Sequence, residues 1–202
     1  TFQAGDICLD IGANIGWYSL LLHKLMPASG TIYSFEPDPL NYQLLCENLQ
    51  LNEATNVAPV NNALSNQREV MKLYRYENKN LGRHSLLAIN SSDYVDIETL
   101  ILDDYLAEQG IDFTKLNFAK IDIEGYEYFA LQGAKKALAH IQCLVCEFEP
   151  DHILKGGLNP TDLIDFLTGE GFQAHLIKAN KAVPVSTAEL LTQAPCDIIW
   201  RK

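Results

Sequence analysis

The sequence predicts an α/β fold, a mostly parallel sheet with helices on both faces. Three observations predict it. Short apolar runs alternate with helical stretches along the chain. The first run passes through a glycine-containing turn, Asp10-Ile11-Gly12-Ala13-Asn14-Ile15-Gly16, straight into a helix. Acids stand where several strands should end, which is where such sheets bind ligands.

Residues 6–11, with the apolar run Ile7-Cys8-Leu9, read as a buried strand, and 16–26 as a helix ended by Pro27 and Gly30. Residues 31–36 form the next strand. Residues 39–51 form a helix, with Leu40, Leu44, Leu45 and Leu49 at helical spacing. A short strand covers 57–60. Residues 69–75 and 94–101 read as extended, on either side of a polar loop from Glu77 to Asp93. A short helix over 103–109 stops at Gly110. The strand at 116–123 ends at Glu124-Gly125, a helix runs from 127 to 138, and 141–148 is again a strand. A helix at 160–169 breaks near Gly171, and strands follow at 172–177 and 196–201. No clear helix separates those last two, so they should form an antiparallel hairpin at the sheet edge.

The 202 residues, 48% hydrophobic, suffice for one filled core, and we expect a single domain over 1–202. There is no initiator Met and the first strand starts almost at once. We therefore expect a chain excised from a longer one or lacking an N-terminal cap. No apolar run approaches the roughly 20 residues that span a bilayer, and no basic segment precedes an apolar one as in a signal peptide. The net charge of -11 argues against a phosphate-backbone surface for nucleic acid. Five scattered cysteines suit a reducing compartment, so the expected location is cytoplasmic. Cys143 and Cys146 form a C-x-x-C, but within a strand positions i and i+3 point to opposite faces, and no second pair completes a zinc site.

The turn at 10–16 is informative in detail. A dinucleotide fold wants G-x-G-x-x-G, whose middle glycine lets bare backbone approach a diphosphate. Here that position is Asn14, and Asp10 precedes the turn. A carboxylate beside phosphates is repulsive; beside an ammonium and a sulfonium it is favourable. Twenty residues after Gly16, Glu36 ends the second strand, placed to accept both hydroxyl protons of a ribose. These features point to S-adenosylmethionine as cofactor. They argue against the rival reading, a nicotinamide oxidoreductase.

The turn, Phe35-Glu36-Pro37, Asn62-Ala63-Leu64, Leu102-Asp103-Asp104-Tyr105-Leu106 and Lys120-Ile121-Asp122-Ile123-Glu124-Gly125-Tyr126-Glu127 occur in that order. This set resembles the FkbM family of S-adenosylmethionine-dependent methyltransferases, from about Asp6 to Phe148. The resemblance implies the class I methyltransferase fold, Rossmann-like, with a seven-stranded, mostly parallel sheet and a reversed terminal hairpin. It implies O-methylation of a hydroxyl on a sugar, glycolipid or polyketide-type small molecule. It also assigns residues. Asp10, Gly12, Ala13, Asn14 and Gly16 would contact the methionine part of the cofactor. Glu36 would clasp the ribose, Pro37 would shape the adenine edge, and Asn62 and Ala63 would flank the adenine. Asp122 would stand next to the transferring methyl.

An alcohol needs a base within hydrogen-bond reach. Asp122, Glu124, His84, Glu149 and His152 are the candidates, with Asp122 first; it equally suits holding the cofactor's ammonium. Arg83 and His84 lie in the polar loop, where the family has a substrate-facing segment. His23 and His140 are expected to be structural. Asp38 and Asn41 suit a helix start as well as a cofactor contact. Asp122 and Glu124, at i and i+2, can face one ion, but no sequence cluster completes the shell, and no metal is expected. The remaining alternative is a catalytically inactive cofactor-binding domain of a larger biosynthetic enzyme.

Overall fold

A computed structural model describes residues 2–75, 84–87, 93–192 and 195–202. The chain opens as alternating strands and helices: β1 (Ile7–Ile11), α1 (Trp17–Leu25), β2 (Thr31–Phe35), α2 (Pro39–Leu51) and β3 (Val57–Val60). Three strands follow, β4 (Ala63–Leu64), β5 (Val70–Tyr74) and β6 (Tyr94–Leu100), then α3 (Leu102–Glu108) and β7 (Leu116–Ile121). The second half runs α4 (Glu127–Gln132), α5 (Lys135–His140), β8 (Cys143–Phe148), α6 (Pro150–Lys155) and α7 (Pro160–Gly169). It closes with β9 (Gln173–Lys178), β10 (Lys181–Pro184), α8 (Thr187–Leu190) and β11 (Cys196–Arg201).

The main sheet has the order β3-β2-β1-β7-β8-β11-β9-β10. Its first five strands are parallel; β11 is antiparallel to both β8 and β9. β1 is buried along Cys8–Ile11 because both faces of the sheet are covered. Alternation then sends Cys8 to the side of Leu22, Ile32, Leu45 and Leu49, and Leu9 to the opposite core with Leu106, Ile121, Leu144 and Phe148. This is the class I methyltransferase architecture. The strands at 172–177 and 196–201 pair antiparallel as expected, with Ile199 opposite His175. An eighth strand, β10, folds back on β9, so the edge lies one strand further out.

Local departures have local causes. The helix expected over 127–138 is two helices. The break falls at Gly133, where a Cβ would lie 2.3 Å from the Ser65 carbonyl oxygen. The second helix restarts on Asp103, whose buried carboxylate accepts hydrogen bonds from the Lys136 and Ala137 N–H groups at 2.7 and 2.9 Å. The segments at 69–75 and 94–101 form a separate sheet, β4-β6-β5. Buried Thr99 ties it together, donating to the Gln67 carbonyl at 2.8 Å and accepting from the Glu69 N–H at 3.0 Å. Among the described residues, no helix is long and apolar enough to cross a membrane.

Candidate active site

One cleft opens at the C-terminal ends of β1, β2 and β7, as the parallel topology requires. The turn after β1 is stitched to β2: the Gly12 and Ala13 N–H groups both donate to the Phe35 carbonyl, at 3.0 and 2.9 Å. Gly12 has φ +80, and a Cβ there would stand 2.0 Å from the Asp122 carbonyl oxygen. Only glycine allows the turn to approach β7 this closely. Asn14 is left-handed, with φ 51, which turns its N–H onto a Glu36 carboxylate oxygen at 2.8 Å.

Glu36 is the centre of one end of the cleft. One oxygen accepts from Asn14, and the other accepts from the Asp38 N–H at 2.8 Å. Burial pushes its carboxyl up to about 7, against the pull of those two N–H bonds. Each oxygen keeps a lone pair, so the group suits a vicinal diol such as a ribose. Pro37, Asn62 and Ala63 line the same end. Asn61, just past the end of β3, secures the Glu36–Pro37 turn by donating to the Glu36 and Pro37 carbonyls at 2.8 and 3.2 Å. Asp38 is the N-cap of α2, accepting from Leu40, Asn41 and the Arg75 Nε. Burial alone would raise its carboxyl, but these donors outweigh it and hold it below the ordinary value.

The other end carries the charged groups of β7. Lys120, quoted in the sequence only as part of a motif and given no role there, has its Nζ 3.2 Å from the Gly12 carbonyl oxygen, 3.3 Å from Asp122 and 3.9 Å from Asp10. Asp10 is fully buried and accepts from the Ser19 hydroxyl at 2.6 Å. Burial pushes its carboxyl up, opposed by Lys120 and Ser19. Gly12, Ala13, Asn14, Asp122, Glu124 and His84 line the cleft, whereas Asp10 and Gly16 stand behind its wall. Gly16 serves packing, since a Cβ there would meet Leu45 at 2.7 Å.

Glu124 reaches the His152 Nδ1 at 3.2 Å, and its backbone carbonyl accepts from the Ser85 hydroxyl at 2.9 Å. Glu147 on β8 brings a third carboxylate. Its oxygen and those of Asp122 and Glu124 lie within 4.8 Å of one another. The spacing of Asp122 and Glu124 could not reveal this partner, because β8 pairs with β7 only in the fold. Three carboxylates so close do not all ionise without a cation. Burial first, then Asp122, Glu124 and Glu127, push the Glu147 carboxyl up to about 9, so it carries a proton at neutral pH.

His84 lines the cleft near the Asp38–Arg75 pair. Burial lowers its imidazole, and the charges acting on it are those of Asp38, Arg75 and Asp93. Glu149 begins α6. Arg83 lies outside the described residues. His23 is structural, its Nδ1 2.6 Å from the Asn56 Oδ1.

Residues 10–174 match the Methyltransferase FkbM domain family. The chain is 28% identical over 200 residues to the 31-O-demethyl-FK506 methyltransferase FkbM of Streptomyces tacrolimicus, covering 84% of this chain and 74% of that protein. Two other curated methyltransferases that it matches are longer, and the chain spans 59% of each. Among solved structures, methyltransferase FkbM from Methylobacillus flagellatus superposes with a TM-score of 0.60 at 19% identity, over 100% of this chain and 44% of that one. A Streptococcus mutans protein described as a methyltransferase in complex with S-adenosylhomocysteine gives 0.54 at 11% identity, over 99% and 90%. With a family match over most of its length, on a class I methyltransferase fold, this chain belongs to the FkbM methyltransferase family, whose cofactor is S-adenosylmethionine.

Proposed function

We propose that the chain methylates a hydroxyl of a small polyhydroxylated acceptor, of sugar, glycolipid or polyketide type, with S-adenosylmethionine held in this cleft. The observation that carries this is the division of one cleft into two ends. Glu36 offers a diol clasp at one end, and Asp122 and Glu124 offer carboxylates at the other. When bound, the cofactor supplies an electrophilic methyl on a sulfonium. The chain's own residues position the rest. Glu36, with Pro37, Asn62 and Ala63 beside it, takes the nucleoside, and the turn Gly12–Asn14 takes the methionine part. Asp122 would hold the acceptor hydroxyl beside that methyl, so that its oxygen could displace the sulfonium's leaving group. Its proton passes to a carboxylate, with Asp122 first in line and Glu124 next to it.

Hydroxyl chemistry is favoured by the curated relative, whose name specifies a 31-O-demethyl substrate. Acidic groups at the acceptor end and a net charge of -11 disfavour a polyanionic acceptor such as RNA. Five unpaired cysteines suit a reducing compartment, so cytoplasm is the proposed location. The test is calorimetric titration with S-adenosylhomocysteine, with NAD as control. Micromolar binding of the first and none of the second is expected. Binding of NAD alone, or of neither, refutes the proposal.

A further inference from the structure

The amino-acid end of the cofactor carries a carboxylate, and the charged side chains of the cleft wall are mostly acids. Glu36, Asp122 and Glu124 all line it; among the described residues of the wall, Lys120 is the sole lysine or arginine. Lys120 near the end of β7 and Asp122 just past it stand at i and i+2, with the Nζ 3.3 Å from the carboxylate. An ammonium at 5% exposure is costly unless it is paired. Its partners here are all long. The Gly12 carbonyl at 3.2 Å, Asp122 at 3.3 Å and Asp10 at 3.9 Å lie beyond the roughly 2.7–2.9 Å of a charge-assisted hydrogen bond. The Tyr18 ring, 4.8 Å from the Nζ, holds it from the α1 side. The buried Oδ1 of Asp10 has no hydrogen-bond partner among the described residues. The ammonium is thus held within reach of several groups without saturating any of them, and it fronts the cleft with Asp10 behind it.

We propose that Lys120 recognises the α-carboxylate of the cofactor's methionine end, which makes it the residue that selects S-adenosylmethionine over nucleosides lacking that group. This rests on the cofactor reading above. Turning the Nζ toward the cleft exchanges one long contact for a short charge-assisted one, while Asp10 continues to balance the charge from behind. The acids that face the cleft repel a carboxylate, so among the described lysines and arginines of the wall Lys120 alone suits this part of the ligand.

Three ligands test it by calorimetry: S-adenosylhomocysteine, its decarboxylated analogue S-adenosyl-3-thiopropylamine, and 5′-methylthioadenosine, which lacks the amino-acid end. The wild-type chain should prefer S-adenosylhomocysteine to the decarboxylated analogue at least tenfold, about 1.4 kcal/mol. Lys120→Met should erase that preference and leave 5′-methylthioadenosine binding within about twofold. Should the single variant fail to fold with Asp10 unpaired, Asp10→Asn with Lys120→Met removes both buried charges and must give the same loss of preference. A variant that weakens all three ligands equally shows a merely structural lysine and overturns the assignment. So does a variant that keeps the preference, or a wild-type chain that has none. A wild-type chain that binds none of the three overturns the cofactor reading itself, and Lys120's role with it.

Discussion

Replacing Gly12 by alanine tests how the cleft is built. Two costs follow from the structure. The residue has φ +80, and forcing an L side chain into that conformation costs about 1–2 kcal/mol. The new Cβ would also lie 2.0 Å from the Asp122 carbonyl oxygen, where ordinary contact begins at 3.4 Å, so the turn and the end of β7 must separate by about 1.4 Å. That movement strains the Asp122 N–H bond to the Ile11 carbonyl, now 3.1 Å, and the Lys120 contact to the Gly12 carbonyl. Overpacking of this kind costs about 1–3 kcal/mol. The total is about 2–5 kcal/mol, or roughly 4–20 °C in melting temperature for a chain of this size. Gly171 provides the control. Its φ is +88 but nothing lies within 4 Å of an added Cβ, so Gly171→Ala should cost only the conformational part, about 1–2 kcal/mol. Thermal unfolding of both variants, with S-adenosylhomocysteine titration below their melting points, separates the contributions. Gly12→Ala should melt lower than Gly171→Ala and lose at least tenfold in affinity, about 1.4 kcal/mol. Equal melting temperatures with unchanged binding would refute the close approach as the reason for this glycine.

Glu36 makes binding depend on pH. Its carboxyl is raised to about 7 in the free protein, so its contribution to stability is full below the unfolded value of 4.5 and is lost as pH rises through 7. A diol clasp uses the ionised form, so affinity for S-adenosylhomocysteine should rise from pH 6 to pH 8, by up to about tenfold per unit below 7. Glu36→Gln should bind weakly with a flat profile; a flat profile in the wild type would contradict the clasp. Asp103 concerns the scaffold alone. Asp103→Ala strips two backbone N–H groups of α5 of their acceptor, and unfolding measurements should show a loss of about 1–3 kcal/mol. Affinity for S-adenosylhomocysteine should stay unchanged, and a tenfold drop would show that Asp103 acts on the cleft.

The sequence by itself determined the strand–turn–helix entry, a mostly parallel sheet, and the two strand ends that carry Gly12 and Glu36. Gly12 and Glu36 were legible because their signals are local: a turn of fixed spacing and a strand end at a set distance. A mostly parallel α/β sheet was legible because alternation of buried strands and helices leaves few topologies, and the ordered motifs, by their resemblance to a known family, narrowed it to the class I fold. What the tertiary structure decided depends on contacts between distant segments. The helix expected over 127–138 breaks at Gly133, which leaves no room for a side chain beside the Ser65 carbonyl, and restarts where Asp103 caps the chain; neither contact lies in a propensity window. The motif around Asp103 is architectural for the same reason. Asp10, read as a cofactor contact, is fully buried, and Lys120, 110 residues later, comes within 3.9 Å of it when β7 pairs with β1. Glu147 joins Asp122 and Glu124 only through the register of β8 on β7. Sequence spacing shows which groups a strand end presents; which of them meet, and with what charge, is settled by strand pairing and burial.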